Sequence, residues 1–207
     1  MSRSRLFFST MKALAVAGLL AGSILNQPVL AQNMQAQNGK MGTKSGSMQM
    51  GKLFSEQQAR LQEFLAEEAA EGKQFMASMQ GKPKSELIQA LKEFKTRQYE
   101  KNSAFRQQMH AERIAAFEKA VAEGPGARPE MREQALARFT RSYEEFKAFF
   151  AGKHQENMDF LDKVGADSNL EGQALNEKLQ AFFQSQKESA KAFMSQKKGQ
   201  RQNQGQP

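Results

Sequence analysis

Four times the chain writes Leu-x-x-Phe, with a second Phe eleven residues after the first. The copies are Leu61, Phe64 and Phe75; Leu91, Phe94 and Phe105; Leu136, Phe139 and Phe150; and Leu179, Phe182 and Phe193. An eleven-residue step closes about three turns of an α-helix, so each trio lies on one helix face. A chain patterned this way must bury four apolar stripes as core or present them to a partner.

The residues between the stripes agree with helix. Ala, Gln, Glu, Lys, Phe and Met dominate, and β-branched residues are scarce. Gly81-Lys82-Pro83, Gly124-Pro125-Gly126 and Gly165-Ala166-Asp167-Ser168 mark breaks. Starts are marked by the capping box Ser55-Glu56-Gln57-Gln58, by Ser85 after Pro83, and by Pro129 followed by Glu130. The expectation is an all-α protein with helices at 55–80, 85–123, 129–164 and 169–197. They would form an extended or up-and-down bundle. The second and third helices would each be about 55 Å long, at about 1.5 Å per residue.

Those two long helices are duplicates at an offset of 44 residues. Thr96-Arg97-Gln98-Tyr99-Glu100 matches Thr140-Arg141-Ser142-Tyr143-Glu144, Phe105 matches Phe149, and His110 matches His154. A hairpin turning near Gly126 would set His110 beside Tyr143 and His154 beside Tyr99, using every histidine and tyrosine in the chain. The two histidines would then stand about 20 Å apart, too far to share a metal. Contacts that are structural or mildly responsive to pH are the expectation. Each stripe is also interrupted by polar residues: Glu68 and Glu71, Gln98 and Lys101, Gln186 and Ser189. These read as solvated stretches of a shallow or curved bundle, or as part of a surface that meets a partner.

The first thirty-one residues have the form of a signal peptide. Lys12 precedes an apolar run from Ala13 to Leu25, and Val29-Leu30-Ala31 offers small residues for cleavage after Ala31. Thirteen residues are too few for a bilayer core of about 30 Å, and no later stretch reads as a membrane span. The expectation is a periplasmic or secreted protein. Residues 32–52 and 198–207, rich in Gln, Gly and Ser, are expected to be disordered, leaving 53–197 as one helical domain.

The chain has no cysteine, which removes disulfides, thiol catalysis and thiolate metal sites together. It carries 30 Lys+Arg against 22 Asp+Glu, and the leader accounts for three of the basic residues, leaving +5 from residue 32 onward. No stretch interleaves basic with aromatic residues as single-strand binders do, so no nucleic-acid partner is expected. Weak attraction to anionic envelope polymers fits the charge.

Methionine supplies the one metal-binding candidate. Met34, Met41, Met48 and Met50 crowd the lead-in, and soft thioethers select Cu(I) where thiols are oxidised. Met76, Met79, Met109, Met158 and Met194 read as packing or as an adaptable binding surface. No nucleophile motif, zinc-protease motif or phosphate-cradling glycine loop is present. Glu67-Glu68 and Glu144-Glu145 read as charged helix faces. The expectation is a protein that is not an enzyme and needs no cofactor.

The segment Phe54-Ser55-Glu56-Gln57-Gln58 resembles a relaxed form of the LTxxQ motif of Spy/CpxP-like periplasmic proteins, with Phe for Leu and Ser for Thr. A second copy begins at Phe139-Thr140 but ends in Tyr143. The resemblance implies a helical, cradle-like dimer that shields unfolded clients without ATP, or takes part in envelope stress and metal sensing. Three functions follow from the residues and the resemblance together. The first is a chaperone-like client binder, the second an envelope scaffold using helix self-association, and the third a soft-metal binder acting through the Met-rich segment.

Overall fold

The computed structural model describes residues 44–122 and 129–203. Every regular element among them is an α-helix: α1 (Lys44–Ser78), α2 (Lys84–Ala122), α3 (Pro129–Ala166) and α4 (Gly172–Asn203). None is long and apolar enough to cross a membrane. The leader, residues 32–43, the Gly124-Pro125-Gly126 break and residues 204–207 lie outside the described residues.

Helix ends follow local chemistry, with three departures from expectation. α1 begins at Lys44, so Ser55 is an exposed mid-helix residue and caps nothing. The strong helix formers downstream carry the helix back through Gly51, where a weak start signal loses to propagation. α4 likewise continues to Asn203, beyond the 197 boundary. Gly165 is helical rather than a breaker. A Cβ there would meet the Ile88 side chain at 3.3 Å, so the glycine lets α3 come close to α2.

The true α1 stop is Gly81, held at φ 75° in the left-handed region that glycine enters at little cost. The Lys82 amide then donates to the Met79 carbonyl. Glu86 and Glu130 stand in the first turns of α2 and α3, and Lys119 and Lys163 in their last turns, each complementing the helix dipole. After α3, Asp167 accepts the Asn169 amide on its carboxylate and the Leu170 amide on its carbonyl, which turns the chain into α4.

The helical segment 53–197, expected as one domain, divides into two compact units, with boundaries inside α1, α2 and α3. Among the described residues the first unit comprises 63–95 and 156–203, and the second 44–62 and 96–155. The first has an apolar core of Met79, Leu87, Ile88, Leu91, Leu161, Val164, Leu175, Leu179 and Phe183. Phe75 stacks on Phe94 at 4.2 Å and Phe160 on Phe182 at 3.7 Å beside it. Lys84 donates to the Asp167 carbonyl and Lys92 pairs with Asp162 at the margin.

Candidate functional site

Burial divides the four stripes unequally. Fifteen apolar side chains are buried among the described residues, and only Phe54 and Met109 of these belong to the second unit. That unit nevertheless carries six further phenylalanines, Phe105, Phe117, Phe139, Phe146, Phe149 and Phe150, all half-buried. Of the stripe residues, Leu91, Phe94 and Leu179 are buried in the first unit. Leu61, Phe64, Phe75, Phe105, Leu136, Phe139, Phe150, Phe182 and Phe193 are half-buried.

In the second unit α2 and α3 meet through a series of ring contacts. Tyr99 stacks on His154 at 4.4 Å with 5° between planes, and His110 on Tyr143 at 4.2 Å with 2°. The Arg106 guanidinium lies 4.2 Å from the Phe150 ring centre. Phe117 meets Phe139 edge-on at 5.5 Å. These contacts place a cation or a titratable ring against an aromatic at three levels.

Partial burial lowers the pKa of both histidines. Arg113 adds to this at His110 while Glu144 opposes it, and Glu100 opposes it at His154. Burial also pushes the Arg106 pKa down to about 10, against the raising field of Tyr143.

α1 is fastened to α2 in this unit by a polar network around Gln57, which is 1% exposed. Its amide nitrogen donates to the Met109 carbonyl at 3.0 Å and to Glu112 at 3.1 Å. Its oxygen accepts from Arg113 Nε at 2.6 Å. Arg60 donates to both Glu112 oxygens, at 2.9 and 2.8 Å, and these bonds hold the Glu112 pKa below its ordinary value although burial works against them. Within Phe54-Ser55-Glu56-Gln57-Gln58, Phe54 and Gln57 are therefore the inward pair, while Ser55 and Gln58 face solvent.

The polar interruptions are the clearest correction to the sequence reading. Glu68 is 0% exposed, and Gln98 and Gln186 are buried, so these are not solvated stretches. Glu71, Lys101 and Ser189 are half-buried. The missing signal was Lys95, on the same buried level of the first unit and 6% exposed. Its ammonium lies 5.8 Å from the Phe94 ring centre and 5.1 Å from that of Phe183. Burial pushes its pKa down to about 8, and the field of Glu68 works the other way. Gln186 donates to Glu156 at 2.9 Å in that unit. A buried acid is tolerated where a buried base answers it.

Among the methionines, Met76, Met79 and Met109 are buried, and Met158 and Met194 half-buried. Met48 and Met50 fall within α1, while Met34 and Met41 lie outside the described residues. Among the described residues no group of three or more His, Asp or Glu could hold a metal ion. Comparison with protein-family models, with curated proteins and with solved structures found no match to this chain.

Proposed function

We propose that this chain is a non-enzymatic, exported helical protein that binds unfolded or partly folded clients without ATP. The observation that carries the reading is the half-burial of six phenylalanines in the second unit, where Phe54 and Met109 are the buried apolar side chains among the described residues. A fold needing only stability would close that set, because burying a large apolar side chain is worth about 1.5–3 kcal/mol. Half-exposed rings offer non-directional contact to apolar client segments, and the Lys153 ammonium lies 5.6 Å from the Phe149 ring among them. The motif resemblance at Phe54 to Gln58 supports the same function.

Helix self-association in an envelope scaffold would use the same rings and is the second reading. Light scattering from an aggregating client, with the purified chain near stoichiometric amounts and no nucleotide, tests the first. Suppression is expected, and it should weaken in a Phe146→Ser, Phe149→Ser variant that keeps its helical circular dichroism. No suppression at several-fold excess would exclude client binding. A stable oligomer under those conditions would then favour the scaffold.

A further inference from the structure

The helices α2 and α3 each run unbroken through the boundary between the two units, yet their inward faces change character there. Over 84–95 α2 buries Leu87, Ile88, Leu91 and Phe94, and over 96–122 it buries one apolar side chain, Met109. α3 buries Leu161 and Val164 over 156–166, to 0% and 1% exposure, and no apolar side chain among those described over 129–155. Lys95, the last residue of the first unit in α2, is buried with the Glu68 charge opposing its desolvation, and a pair of that kind returns little net stability. Burial of apolar surface is the main favourable term in folding, so one helix carries two different local stabilities. The connections after α1 and α3, at Gly81 and Asp167, both belong to the first unit. The second unit holds its segments of α1, α2 and α3 together through ring contacts and the hydrogen bonds of Gln57.

We infer that the second unit opens and recloses as a cooperative unit of its own while the first stays folded, with α2 and α3 unwinding from Ala122 and Pro129 as far as the unit boundary. Helices draw most of their stability from packing, so segments that lose their neighbours lose their turns as well. The first unit remains as a template for reclosing, because its core and both connections lie outside the opening. In the open form the six phenylalanines of the second unit are stripped of the contacts that half-bury them. Opening of this kind takes place in the free chain, whether or not a client binds.

Hydrogen exchange of the purified chain, followed by mass spectrometry of overlapping fragments, tests this. Where exchange follows equilibrium opening, amides over 87–95 and 158–166 should exchange at least about a hundredfold more slowly than those over 99–119 and 132–152 of the same helices. Gln57→Ala should speed exchange in the second-unit segments about tenfold and leave the first-unit segments unchanged. Val164→Ala should do the reverse, speeding the first-unit segments about tenfold and sparing the second. Uniform protection along α2 and α3, or acceleration of both units by either variant, would overturn the inference, because each means that the chain opens as one.

Discussion

The ammonium of Lys95 sits 5.1 Å from the centre of the Phe183 ring, inside a unit whose core is apolar. Its burial is sustained by Glu68 on the same level, whose field raises the Lys95 pKa against desolvation. Removing one partner alone leaves a buried charge unanswered. Lys95→Met should cost about 3–5 kcal/mol, and Lys95→Met with Glu68→Leu should recover most of it. Urea denaturation of the four members of the cycle measures this. Additive single losses would show that the two charges do not interact.

The same lysine sets a pH dependence of unusual sign. A base whose folded pKa, about 8, lies below the ordinary 10.5 binds fewer protons folded than unfolded between those values. Unfolding then takes up a proton, so stability rises with pH across that window, by about 3 kcal/mol at most. The charge penalty is present in full below pH 8. Urea midpoints from pH 7.5 to 10.5, taken relative to the Lys95→Met, Glu68→Leu variant, should show the rise.

Acid acts on the second unit through its histidines. Both have folded pKa values lowered from 6.5, so the contribution of the neutral rings is present above that value and is lost as pH falls below it toward the folded pKa. Replacing His110 and His154 by Gln should flatten the urea midpoint between pH 7 and 5. An unchanged slope would mean that the stacks do not sense protonation.

Gln57 and Gln58 are adjacent and should respond in opposite ways. Gln57→Ala strips partners from Arg113 and Glu112 in a buried network and should cost about 1–3 kcal/mol. Exposed Gln58→Ala should stay within about 0.5 kcal/mol. Thermal melts of both variants make the comparison. A larger loss at Gln58 would reverse the assignment of the inward residue.

Much of this fold was legible in the residues. Helix type followed from composition and the helix count from the Gly/Pro breaks and start signals, and the Tyr99–His154 and His110–Tyr143 neighbours could be placed from a duplicated helix and one turn. The polar residues of the stripes were not, because Glu68, Gln98 and Gln186 look the same in a sequence whether they are solvated or buried. Leu161, Val164 and Phe183 were missed as core because none belongs to the repeat, although the first unit packs around them. Helix starts failed where propagation outweighed a local cap, as at Ser55. The half-burial of Phe146 and Phe149 depends on what other helices cover, which no single-helix pattern encodes.

Met79 is enclosed by the apolar core of the first unit. In a chain with no thiol to intercept oxidants, a thioether is the next group to take up oxygen. Half-buried Met158 and Met194 would be consumed first as sacrificial surface. Sulfoxide at Met79 is expected to form more slowly than at the half-buried methionines and faster under conditions that open the unit, where its polar oxygen would then obstruct closure.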